Sequence, residues 1–267
     1  MTTIQLSLLD LALASLTLVG LGLLGIRQQM EITRALWVAG VRMALQLMLL
    51  GLVLKSLFRA EGWIWVALMS LIMLLAAGRE VTARQKRPLK GFWNLGTGLS
   101  SMFVSSFALA LFGLIVVVEP SPWYQPQYAI PILGMLLGNT MNGVALVMNQ
   151  LSNGAWDRRH QIEQQLMLGC SGEEAIQDLA KEAVRTAMMP VINSMAVAGI
   201  VSLPGMMTGQ ILAGHSPNEA VKYQIFIWFL IGAGSGFGIL LASGLVTRRL
   251  FDERDRLRLD RLRPKNG

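Results

Sequence analysis

Residues 225–246 read IFIWFLIGAGSGFGILLASGLV, a continuous apolar run without one Asp, Glu, Lys or Arg. A hydrocarbon core about 30 Å thick is crossed by about 20 helical residues. In lipid, only a helix or a closed barrel satisfies every backbone amide and carbonyl. This stretch therefore reads as a membrane helix. Its glycines Gly232, Gly234, Gly236 and Gly238 offer a close-packing face, suited to a subunit contact.

Working outward, six more runs have the same character: 4–26, 35–54, 63–78, 95–118, 128–148 and 189–213. The third is the shortest. The first has no basic residue before it and no small-residue cleavage site after it, so it reads as a span rather than a cleaved signal. The whole chain agrees: 53% of its 267 residues are hydrophobic and only 15% are charged, where a soluble domain carries about a quarter charged residues. Mean hydropathy is +0.51. The expected fold is all-α, a polytopic bundle of about seven transmembrane helices forming a single domain over residues 1–267.

Lys and Arg set the orientation. Arg79, Arg84, Lys86, Arg87 and Lys90 lie between runs three and four, and residues 248–267 form a basic tail, whereas residues 119–127 contain neither residue type. With seven spans this puts the N-terminus outside and the C-terminus in the cytosol. Trp63, Trp65, Trp123 and Tyr124 then fall at the outer interface, and Trp37 and Trp93 at the inner one. The +7 net charge is concentrated in these loops. It serves orientation and contact with anionic lipid, not nucleic-acid binding. The single cysteine, Cys170, excludes an intrachain disulfide.

Residues 151–188 form the largest non-membrane segment, cytosolic in this topology. A helical piece spans 156–168 and ends at Gly169. Ser171 followed by Glu174 makes a capping box. From there Ile176, Leu179, Ala180, Ala183, Val184 and Ala187 share one face of an amphipathic helix of about four turns. The pair either packs on its own bundle or offers a docking surface.

Polar residues within the spans mark packing or a path. Arg42 and Gln46 share a face of the second run. Met135, Gly138, Asn139, Asn142, Leu146 and Asn149 line one face of the fifth, and Gly134 with Gly138 admits a close neighbour. The sixth run carries Pro204 and Gly205 inside it, in IVSLPGMMTG at 200–209. Proline removes a donor and clashes with the preceding turn, so the helix breaks there. The break is a packing kink, a hinge, or the lining of a path that includes Ser202, Met206 and Met207. Non-helical backbone at this depth needs protein or a cavity around it.

Enzymatic and nucleotide signatures are missing. The dipeptide Gly-Lys never occurs, which excludes a phosphate-binding P-loop, and neither HExxH nor GxSxG is found. Residues 20–25, GLGLLG, fit GxGxxG by letter but lie inside an apolar span with no strand before them. Asp157, His160 and Glu163 recur every three residues and read as a solvated face.

IPILGMLLGNTMN at 130–142, VSLPGMMTGQILAG at 201–214, KYQI at 222–225 and the Arg42–Gln46 pair resemble the FetB family of ABC transporter permeases over roughly residues 35–246. The resemblance implies a multi-pass permease of the bacterial cytoplasmic membrane, working as a homodimer with a separate cytosolic ABC ATPase subunit. ATP and magnesium would sit on that ATPase and no cofactor on this chain. Bacterial members are associated with iron export and resistance to oxidative stress, plant relatives with aluminium tolerance and UDP-glucose transport. It also implies ATPase coupling through Glu163, Gly169, Cys170, Ser171 and Glu174. Here the family-type alanines after the glutamate are Gln164 and Gln165, and Pro190 lies further from Gly169 than the pattern places it. If the spans enclose a path, its candidate residues are Arg42, Gln46, Asn139, Asn142, Ser202, Met206 and Met207, with Pro204 and Gly205 as candidate hinge; metal ligands are not identified. The competing readings are another cargo (a different metal or UDP-glucose) and a stand-alone channel or ion-coupled carrier.

Overall fold

The computed structural model describes residues 7–29, 32–58 and 62–264. All regular structure among them is helical, and six helices are long and apolar enough to cross a membrane. The chain divides into two compact units, residues 1–61 and 62–267.

The first unit is a helical hairpin, α1 (Leu8–Arg27) and α2 (Ile32–Leu57). Ser7 and Asp10 cap α1 reciprocally: the Ser7 hydroxyl accepts from the Asp10 amide at 3.2 Å, and the Asp10 carboxylate accepts from the Ser7 amide at 2.8 Å. Gly22 sits under the Trp37 indole, Gly25 under Thr33 and Gly40 under Leu18, a pairing that makes the helices antiparallel. The GLGLLG glycines are thus packing residues of α1.

The second unit is built on the rod α10 (Pro217–Leu250), packed against α6 (Pro126–Asp157) and α8 (Gly172–Val197). Helix α3 (Trp63–Ala83) packs on α6 and on α4 (Trp93–Met102). After α4 the chain runs through a π-helical turn at Phe103–Phe107, the short α5 (Ala108–Phe112) and a second π turn at Gly113–Val118, all one span. The helix α7 (Arg159–Met167) connects α6 to α8, and α9 (Gly205–Leu212) precedes α10.

Gly238 lets α6 and the first π turn meet α10. A Cβ there would collide with Thr140 Cγ2 at 2.5 Å and with Ser105 Oγ at 3.0 Å. Gly234 faces Leu136, while Gly232 and Gly236 face Met195 and Met188 of α8. The four glycines expected to form a subunit contact are spent inside the chain. Gly134 meets Met73 of α3, and Gly138 has open space beside it.

The run expected at 189–213 is not one helix. α8 begins at Gly172, carries Pro190 within it and stops at Val197; α9 begins at Gly205. The break starts earlier than Pro204 because Gly199 takes a left-handed φ of +82°, which glycine adopts at no steric cost. The Ile200, Val201 and Ser202 amides all turn back to the Val197 carbonyl. Pro204 is extended and stands at the N-cap of α9, its carbonyl accepting from the Thr208 amide at 3.0 Å. Ser194, Ala198, Ser202 and Gly205, which an unbroken helix would align on one side, therefore do not share a helix face. Met195 meets Gly232, near the middle of α10, so the break lies at mid-rod level.

Candidate functional site

The basic residues between α3 and α4 gather with the C-terminal ends of α6 and α10 and the N-terminal end of α8. This basic end is built around the α7–α8 turn. Leu168, Gly169 and Cys170 close α7, their amides returning to the carbonyls of Gln164, Gln165 and Leu166. Gly169 has φ +94°, and a Cβ there would meet nothing within 4 Å. Its glycine is required by the backbone rather than by crowding.

The expected capping box is present. The Glu174 carboxylate accepts from both the Ser171 amide and its hydroxyl at 2.8 Å, and the Ser171 hydroxyl accepts from the Glu174 amide. The Ser171 amide, followed by its hydroxyl, holds the Glu174 carboxyl below its ordinary value. Ile176, Leu179, Ala183 and Ala187 are buried, as the amphipathic pattern requires, and Ile162 buries α7. Arg158 ties the start of α7 to Glu182 at 2.8 Å. The tip itself presents apolar surface: Met167 is 79% and Leu168 84% exposed. Glu163 is exposed and lies 3.7 Å from His160.

Two asparagines of α6, Asn142 and Asn149, bond the segment after α3. Arg84 donates to Asn142 Oδ1 at 2.8 Å, and the Lys86 amide donates to Asn149 Oδ1 at 3.0 Å. Asn139 donates to the Met135 carbonyl one turn back. Asn142 thus belongs to the basic end. Arg42 and Gln46 belong to the first unit and are exposed on α2. Within the second unit Ser202 is exposed on the break, Met207 is buried, and Met206 lines a cavity with Met135. Among the described residues, no group of three or more His, Cys, Asp or Glu is arranged to hold a metal.

The tail is a folded clip and not only the orientation signal that its charge suggests. Leu262 bridges to Leu89; the Lys90 amide donates to the Arg261 carbonyl at 2.7 Å and the Arg263 amide to the Pro88 carbonyl at 2.9 Å. Arg261 donates to the Arg249 and Phe251 carbonyls. Arg256 pairs with Asp252, and Arg258 with Asp260. Backbone and side-chain bonds from Arg256 hold the Asp252 carboxyl well down, and the Arg258 guanidinium holds Asp260 down to about 2. Asp255 reaches α8 itself, accepting from the Gly172 amide at 2.9 Å. Arg249 stacks 4.3 Å over Trp93, and Arg87 4.3 Å over Trp156. The mixed-sign run DERDRLRLDR at 252–261 was the available signal, since a purely lipid-binding tail needs no aspartates.

Comparison with known proteins agrees with a membrane protein. The model described as "Uncharacterised protein family (UPF0014)" matches residues 8–251. UPF0014 membrane protein slr1647 of Synechocystis is 36% identical over 257 residues, covering 95% of this chain and 93% of the relative. The Probable iron export permease protein FetB of Escherichia coli is 30% identical over 257 residues, 96% of each chain. Protein ALUMINUM SENSITIVE 3 of Arabidopsis thaliana is 33% identical over 195 residues, 73% of this chain and 69% of its own. No solved structure matches.

Proposed function

We propose that this chain, which belongs to the UPF0014 family, is the membrane-spanning permease subunit of an ATP-driven exporter of the cytoplasmic membrane. Its cargo is iron, and ATP with magnesium is handled by a separate cytosolic ABC ATPase. The observation that carries the docking half is the α7–α8 tip. A rigid, doubly capped turn presents two large apolar side chains, Met167 and Leu168, at the basic end. Exposed apolar side chains on a preorganised turn suit a partner's pocket. The cargo half is supported by the name of the Escherichia coli relative, a probable iron export permease protein.

In this account two copies pair in the membrane, and the ATPase pushes on the tip. The α8 rod transmits that push to the break at Ala198–Pro204, where Pro204 and Gly205 form the hinge. The test is co-purification. Met167→Ser with Leu168→Ser releases the ATPase from the membrane-inserted chain, while the melting temperature is unchanged. Undiminished association of the double variant would refute docking at the tip.

A further inference from the structure

At the end opposite the basic loops, α6, α9 and α10 border a half-open cavity of about 510 Å³, within the range of small-ligand sites. Six of its lining residues bear on chemistry: Met135, Met206, Gln210, His215, Glu219 and Tyr223. Gln210 Oε1 and the Tyr223 hydroxyl are buried and have no hydrogen-bond partner among the described residues. Buried polar atoms without partners are expensive, and two of them lining one cavity point to a ligand that supplies the missing contact.

We propose that this cavity is a divalent transition-metal site, with the His215 imidazole and Glu219 carboxylate as principal ligands, Gln210 Oε1 as an oxygen ligand and Met206 as a soft one. The local fold explains why these residues line one cavity. Gln210 lies in the last turn of α9 and the His215 amide donates to its carbonyl at 3.0 Å. Gly214, at φ +96°, turns the chain between them. Ser216 then caps α10, its hydroxyl accepting from the Glu219 amide, which sets Glu219 in the first turn. The carboxylate pairs with Lys222 at 2.9 Å, but the two side chains are 68% and 73% exposed. An exposed pair of this kind contributes little, so a metal displaces Lys222 at small cost.

The donor set selects the metal class. Imidazole with carboxylate suits iron(II) and its neighbours, and a thioether favours softer ions. Calcium asks for six to eight oxygens, and magnesium for an octahedron of them; this cavity supplies neither. The site's existence stands on the cavity alone. Its role, holding the ion at the outer mouth before release, rests on the export reading.

The test uses the purified full-length chain titrated with Co²⁺, followed by its visible d–d absorption. One Co²⁺ binds per chain. His215→Ala and Glu219→Gln each weaken binding about tenfold or more. His160→Ala, which removes the other histidine, leaves it unchanged. Absence of Co²⁺ binding to the wild type, or full binding by a folded Glu219→Gln chain, overturns the site. Failure of the export reading is seen separately, as a chain that binds Co²⁺ but never the ATPase.

Discussion

The Asp255 carboxylate accepts the backbone N–H of Gly172 at 2.9 Å, joining residues 83 positions apart in the chain. The bond sits at the start of α8, where unpaired amides and the helix dipole favour a negative group. The tail thereby holds the same turn that Ser171 and Glu174 cap from within. It also crowds it: a Cβ on Gly172 would lie 2.7 Å from the Phe251 ring. Asp255→Ala should loosen the start of α8 by about 1 kcal/mol, the usual worth of a cap. Hydrogen exchange at residues 172–175 reads this directly, as faster exchange with the centre of α8 unaffected.

The clip should be indifferent to pH across the physiological range. Asp252 and Asp260 both titrate below the ordinary carboxylate value of 3.8, Asp260 at about 2. Depressed folded values mean that their stabilisation is complete above about pH 4. It is lost only as pH falls through the folded values. Amide protection at Lys90 and Arg263, corrected for intrinsic rates, should therefore stay constant from about pH 5 to pH 8 and fall in stronger acid. A midpoint near neutrality would show that other groups hold the clip.

Gly169 and Gly238 are glycines for different reasons, and their variants should differ accordingly. At Gly169 the left-handed backbone is the constraint, so Gly169→Ala costs about 1 kcal/mol and distorts the tip. ATPase binding weakens, and bulk destabilisation is small. At Gly238 the constraint is space between α10, α6 and the π turn. Gly238→Val overpacks that contact by about 1–3 kcal/mol and lowers the melting temperature in detergent.

The break between α8 and α9 is expected to move. Pro204→Ala restores a donor and an alternative backbone at the N-cap of α9. Transport by the variant should drop while insertion and ATPase binding persist. Normal transport would make the break a packing feature.

What the sequence disclosed follows the range of the interactions. The spans are legible because burial in lipid writes long uncharged runs, as at 225–246. The capping box is legible because Ser171 and Glu174 are three residues apart. The sixth run reads as one helix broken at Pro204, but α8 ends before Gly199, and a lone glycine's φ is not visible in composition. The Asn142–Arg84 and Gly172–Asp255 bonds span 58 and 83 positions. Nothing local distinguishes those partners from solvated side chains. The glycines of α10 announced close packing correctly, but only the fold shows that the neighbours are α6 and α8 of the same chain.

The most direct measurement is total iron, by elemental analysis, in iron-loaded bacteria carrying this chain, its ATPase, both, or both with a hydrolysis-dead ATPase. The account predicts lower cell iron only when the chain and an active ATPase are present together. Equal iron in all four, with the chain inserted and the ATPase bound, would contradict iron export. Iron lowered by the chain alone would contradict the ATP-driven mechanism.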